Sequence, residues 1–366
     1  MRMRSVLATV TAGLAAATCV TAAAPADAHS GKAPGVHACS PAVSITSYSD
    51  VLDKTTYDGT FVGNLSALAV DRGGRIAALS DRSSLFTLDR ETLKPTSVVN
   101  LVDEKGAALD SEGLAVDLPH SRLRSSGGTP TGTRLVTSET EPSVRRYERD
   151  GTLVGSLPVP DALKVAPAGR ATSNLTFEGL TLLPGGRTLL AAMEGSLSGD
   201  TAGIVRFQTW DRATRQGDFR LSAQYGYRTD AGLGVSEAQA TPDGRLLVLE
   251  RGFTAGVGNT VRLYLADLRH ATDTRRVDTL TGQEGVRLAR KTLLADLVNC
   301  PSLGARAKQP QPNPLLDNIE GLTITGRAPD GRLQLLLVSD DNQNAVQTTR
   351  LYSLSVRLPH TVILND

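Results

Sequence analysis

Cysteine and aromatic residues are scarce: the 366-residue chain has three Cys, one Trp, seven Tyr and six Phe. So few rings exclude a protein that stacks successive nucleic-acid bases on aromatic platforms. Neither sign of charge is in surplus, because 39 Lys and Arg face 38 Asp and Glu. Without residues 1–28, which carry Arg2, Arg4 and Asp27, the two signs are equal. A nucleic-acid binder needs a basic excess to displace counterions, and a lipid-surface binder needs a polybasic patch, so neither partner is expected. Histidine is limited to five residues, His29, His37, His120, His270 and His360. None lies in the repeated motifs described below, which leaves a serine nucleophile without an obvious base. The string Gly195-Ser196-Leu197-Ser198-Gly199 puts Leu at the nucleophile position of a hydrolase elbow. P-loop, Cys-x-x-Cys and dinucleotide Gly fingerprints are missing as well. Asp53–Gly59 (DKTTYDG) fails as a calcium loop, since Thr55 replaces an acid or amide and no Glu stands twelfth.

The chain opens on an address. Arg2 and Arg4 precede an apolar run from Val6 to Ala24, and Ala26-Asp27-Ala28 fits the small-x-small cleavage pattern. Residues 1–28 are therefore expected to be a secretory signal peptide, with secretion after cleavage near Ala28 and a mature segment at 29–45. The run is rich in Ala and Thr and too weakly hydrophobic for a membrane anchor. Cys19 follows Ala16-Ala17-Thr18 and lacks a lipoprotein context. Cys39 and Cys300 remain, in a compartment that permits disulfides, either as one bridge or as two buried thiols.

The rest of the chain repeats one sentence. Residues 65–81 read LSALAVDRGGRIAALSD, 177–194 FEGLTLLPGGRTLLAAME, 236–250 SEAQATPDGRLLVLE and 319–340 IEGLTITGRAPDGRLQLLLVSD. A fifth copy opens with SEGLAVD at 111–117 and resumes with TRLVTSE at 133–139 after an insertion containing Gly127 and Gly128. Each copy is an apolar strand, a turn of Gly-Gly or Asp-Gly type, and a second apolar strand, which is a hairpin signal. The near-continuous apolar runs suit strands covered on both faces, and no amphipathic helical period is evident. An all-β fold follows. Units of about 40–50 residues point to a β-propeller, of six blades with seven as the alternative. A β-sandwich is the competing architecture, but it needs no repeated turn sentence. The Pro/Gln-rich stretch at 307–314 reads as an exposed loop.

The hairpins also place acids. Ser66 with Asp81, Glu112 with Glu139, Glu178 with Glu194, Glu237 with Glu250, and Glu320 with Asp340 are each centred on a turn or insertion. Each pair therefore belongs at the open end of its hairpin. In a propeller those ends gather at one mouth of the central channel. Carboxylates so close need a cation, a base or a proton between them. An oxygen-rich, histidine-poor set suits calcium, with Glu112, Glu178, Glu237, Glu320, Asp81, Glu139 and Asp340 as the candidate ligands. A Glu at the start of an inner strand can instead accept backbone N–H bonds from the next blade, its Gly neighbour serving close packing.

Ser111-Glu112-Gly113-Leu114, Phe177-Glu178-Gly179-Leu180 and Ile319-Glu320-Gly321-Leu322, with Ser236-Glu237, Leu249-Glu250-Arg251 and Ser339-Asp340-Asp341, resemble the phytase-like domain called esterase-like activity of phytase. The resemblance covers roughly residues 60–355 and implies one secreted bacterial propeller domain, taken here as residues 46–366. It implies hydrolysis of phosphate or carboxylate esters, so the expected partner is a small-molecule ester. On that reading Glu194 and Glu250 are candidate general bases. Arg82, Arg251, Arg145 and Arg146 are candidate contacts to the substrate's anionic group. The alternative is a non-catalytic propeller that binds a ligand or metal at the same mouth.

Overall fold

In this computed structural model residues 37–118 and 132–359 are described. The expected leader (1–28), His120 and the Gly127-Gly128 insertion lie outside the described residues. Five four-stranded antiparallel sheets follow one another along the chain. The N-terminal strand β1 (Val43–Ser49) and a small hairpin, β2 (Thr55–Tyr57) and β3 (Thr60–Val62), precede them. Blade 1 comprises β4 (Leu65–Val70), β5 (Ile76–Ser80), β6 (Ser84–Leu88) and β7 (Pro95–Asn100). Blade 2 comprises β8 (Ser111–Asp117), β9 (Thr133–Ser138), β10 (Ser143–Tyr147) and β11 (Leu153–Leu157). In blade 3 the order is β12 (Phe177–Leu182), β13 (Thr188–Met193), β14 (Ile204–Asp211) and β15 (Arg220–Arg228). Blade 4 is built from β16 (Gly234–Ala240), β17 (Leu246–Thr254), β18 (Gly258–Asp267) and β19 (Arg290–Asp296). Blade 5 closes the ring with β20 (Asn318–Arg327), β21 (Leu333–Asp340), β22 (Leu351–Val356) and, as its outer strand, β1. Among the described residues no helix is long and apolar enough to cross a membrane.

The five first strands β4, β8, β12, β16 and β20 pack on one another in a closed cycle. The propeller therefore has five blades, and the expectation of six or seven is corrected. Dividing chain length by a standard blade counted the long connections at 268–289 and 297–317 as sheet. The repeated hairpins are the true count, one per blade.

Five hydrophobic clusters fill the five blade interfaces. Alternate residues of one strand feed different clusters. Leu247 and Leu249 pack toward blade 5 with Leu335 and Leu337, while Leu246 and Val248 face blade 3 with Leu190 and Phe207. This two-sided burial is why the strands read as continuous apolar runs. The interfaces are tight enough to exclude a Cβ where the inner strands approach. At Gly113 one would stand 2.1 Å from the Glu178 carbonyl, and at Gly179 2.3 Å from the Ala238 nitrogen. The glycine of each Glu-Gly-Leu is thus a packing requirement of the neighbouring blade. Cys39, ahead of β1, is disulfide-bonded to Cys300, which follows β19. The bridge fastens the segment leading into the closing strand.

Candidate functional site

Every inner strand begins with a β-bulge. Pairing skips one extra residue between Leu65 and Ala67, Ser111 and Leu114, Phe177 and Leu180, Val235 and Glu237, and Ile319 and Gly321. A bulge re-aims the side chain it carries, and such features concentrate beside functional sites. The re-aimed position is held by Ser66, Glu112, Glu178, Ser236 and Glu320. The partner strand supplies a second ring position, aligned opposite Asn318 and Gly234 in blades 5 and 4. In blades 1 to 3 its N–H donates to the carbonyls of Asn64, Asp110 and Thr176. Its occupants are Asp81, Glu139, Glu194, Arg251 and Asp340.

Blade 4 is therefore out of phase by one residue. Its bulge carries Ser236, and its second ring position carries Arg251 where the other blades have an acid. Glu237 and Glu250 fall on the alternate parity, and a one-residue offset turns a strand side chain to the opposite face. Neither lines the mouth. Glu237 is sealed between blades and accepts the Ala238 N–H at 2.8 Å. Burial pushes its carboxyl up to about 8, although the N–H groups of Ala238, Leu322 and Leu180 hold it down in part. Glu250, fully buried, accepts from the Tyr227 hydroxyl (2.6 Å), Lys291 (2.6 Å) and the Asp230 N–H (2.7 Å). The roles first assigned to these two, metal ligand and general base, are corrected: both serve the packing of blades.

The other acids meet in a cavity of about 470 Å³ lined by Ser66, Asp81, Asp110, Glu112, Glu139, Glu178, Glu194, Arg251, Glu320 and Asp340 among others. Two overlapping trios stand out. Carboxylate oxygens of Asp110, Glu112 and Glu139 all lie within 4.8 Å of one another, as do those of Glu139, Glu178 and Glu194. Glu139 belongs to both. Arg251 bridges two of the acids, 3.1 Å from Glu320 and 3.6 Å from Glu194 of the second trio.

Burial and crowding raise Glu112, Glu178, Glu139, Asp81, Asp340, Glu194 and Glu320. Burial comes first for Glu112 and Glu178, followed by repulsion from Glu320 and Glu139 for the former and from Glu112 and Glu194 for the latter. Burial, then Glu194 and Asp110, push Glu139 up to about 8. Asp81 rises to about 7, mainly by burial, with Arg82 opposing and Asp110 and Glu320 adding to it. Burial and Glu320 likewise lift Asp340. Glu194 and Glu320 are raised by burial but partly relieved by Arg251. For Arg251 burial opposes the charge, and Glu320, Glu194, Glu178 and Asp340 outweigh it, so the guanidinium stays protonated.

Three other arginines lie off the mouth. Arg145 is buried against Glu104, its Nη2 3.0 Å from a carboxylate oxygen, and Arg146 sits over the Phe219 ring at 5.6 Å. Both have structural partners, and the assignment as substrate contacts is corrected. Arg82 is exposed beside Asp81 at 3.4 Å, lining an adjoining depression with Asp103 and Asp110. Asp110 is the residue the sequence reasoning missed. It precedes Glu112 by two, hence on the same side of an extended chain, and that period-2 relation was the available signal. Asn318 stands in the same relation to Glu320 and donates to it at 2.9 Å.

A family model described as esterase-like activity of phytase matches residues 60–343, which takes in all ten ring positions. The chain belongs to this phytase-like family. A comparison with curated proteins finds no match. The mouth of this phytase-like propeller fits a hard cation in its donor chemistry: carboxylates with amide neighbours such as Asn174 and Asn318, and no imidazole or thiol among the described lining residues. The spread of each trio also suits one ion, since two oxygens on a common calcium stand at most about 5 Å apart.

Proposed function

We propose that the protein is a secreted hydrolase of phosphate or carboxylate esters that works with calcium at its acidic mouth. The observation that carries this reading is the pair of carboxylate trios sharing Glu139, with Arg251 beside Glu194 and Glu320 in the same cavity. Asp110, Glu112, Glu139 and Glu178 would hold the cations, and Asp81, Glu320 and Asp340 would complete the charge around them. Calcium there supplies Lewis-acid polarisation of an ester oxygen and lowers the pKa of a water.

The chain's own groups account for the remaining needs. Arg251 offers donors to the oxygen that gains charge as the ester carbon or phosphorus is attacked. Glu194, its carboxyl raised by burial and partly relieved by Arg251, suits a base that takes the proton of the attacking water. Water adds across the ester bond, leaving the acid and the alcohol. The disulfide agrees with an oxidising compartment outside the cytoplasm.

Hydrolysis of chromogenic phosphate and acetate esters by the purified protein tests this. Activity should vanish with a chelator and return with calcium. Calcium uptake without turnover of any ester would leave a binding platform in its place.

A further inference from the structure

A second cavity, of about 780 Å³, opens between blades 3 and 4 and shares Leu175, Glu194, Arg251 and Phe253 with the acidic mouth. Its character is the reverse of the mouth's. The lining is rich in glycine and alanine, including Ala202, Gly203, Ala231 and Gly232, together with Val205 and Leu233. Of its charged groups, Glu194 and Arg251 are shared with the mouth and pair with each other, Arg228 lies on its wall, and Asp230 is engaged by neighbours. Asp230 is held by Lys291 at 2.8 Å and by Arg262 and Tyr264. At the shared boundary two large apolar side chains stand in solvent, Phe253 at 55% exposure and Leu175 at 39%. Exposed apolar groups that flank a polar cavity mark the place where a ligand's apolar part is covered.

We infer that this groove receives the apolar arm of the substrate, so that the enzyme's natural class is esters with one anionic or polar head and one aryl or alkyl arm, not densely phosphorylated polyols. The inference rests on the reading of the mouth as an ester site. Glu194 and Arg251 form the wall between the two cavities, so an ester group placed against them directs one substituent into the acidic mouth and the other into the groove. A ligand with phosphates around a whole ring would have to press charged groups against Phe253 and Leu175. It would also find only Arg251 as a basic residue among the described groups lining the mouth.

Matched ligands test the arm directly, without turnover. Methylphosphonate and phenylphosphonate form one pair and acetate and phenylacetate the other, each titrated by calorimetry into the full chain with calcium. In at least one pair the phenyl member should bind about tenfold tighter, as expected for covering one ring. Phe253→Ser removes an exposed apolar wall and Ala202→Trp fills the groove at an exposed turn, so each should bring that ratio toward one. Equal affinity of the two members in the unaltered protein, or a preference that survives both substitutions, overturns the inference while leaving the mouth as an ester site. If no member of either pair binds, the reading of the mouth falls, and this inference with it.

Discussion

Glu237 and Glu178 carry the same short motif to opposite ends. Glu178 sits on a bulge and turns into the mouth, whereas Glu237, one position later in its bulge, turns into the blade interface and satisfies backbone donors. Replacing Glu237 by Gln turns an amide N–H toward those donors and should cost about 1–3 kcal/mol of stability, read as a lower urea midpoint. Calcium titration of the same variant should be unaltered. The acids of the mouth set a pH dependence. Asp81 moves from 3.8 to about 7 and Glu139 from 4.5 to about 8 on folding. Between those values the unfolded chain has released protons that the folded protein keeps. Their contribution is complete below about pH 4 and is lost as pH rises toward 8. Metal-free protein should therefore melt at progressively lower temperature from pH 5 to 8, and calcium should remove most of that decline. A melting temperature independent of pH in the chelator-treated protein would contradict the burial of these carboxylates.

Among the elements, the hairpins were legible because their signals are local. Gly185 and Gly186, with φ of 92° and 61°, sit at a turn that side-chain-bearing residues enter only under strain, and the sequence shows them as Gly-Gly between two apolar runs. The convergence of acids was legible from the same symmetry about each turn. The phase slip in blade 4 was not, because it depends on which residue each bulge ejects, and Ser236-Glu237 looks like Ser111-Glu112 until the pairing with β17 is known. Blade number was obscured by the 268–289 and 297–317 connections, whose polar composition does not announce that they belong to no sheet. The outer strand β1 was also invisible locally, since its partner β22 comes some 300 residues later and closure is a property of the whole ring. The Cys39–Cys300 bridge fastens the chain just before β1. Cys39→Ser with Cys300→Ser should lower unfolding stability by about 2–4 kcal/mol, measured by denaturant titration. Deleting residues 37–49 should be worse, because β22 then becomes an unpaired edge over Leu354 and Val356.

For the whole molecule, fivefold closure turns scattered acids into one site. Each blade contributes two ring positions, and only their sum produces a cavity where carboxylates outnumber a single arginine. Protons and cations compete for that surplus, so calcium affinity should rise with pH and its uptake should release protons into the buffer. Because Glu139 stands in both trios, it is the most economical place to challenge the arrangement. The most direct measurement is calorimetric titration of calcium into chelator-stripped protein near neutral pH, wild type beside Glu139→Gln. The wild type should bind calcium saturably, and the variant should lose at least about tenfold in affinity with the fold intact. A wild-type protein that takes up no calcium, or a variant that binds it equally well, would rule out a cation held by the shared carboxylate of Glu139.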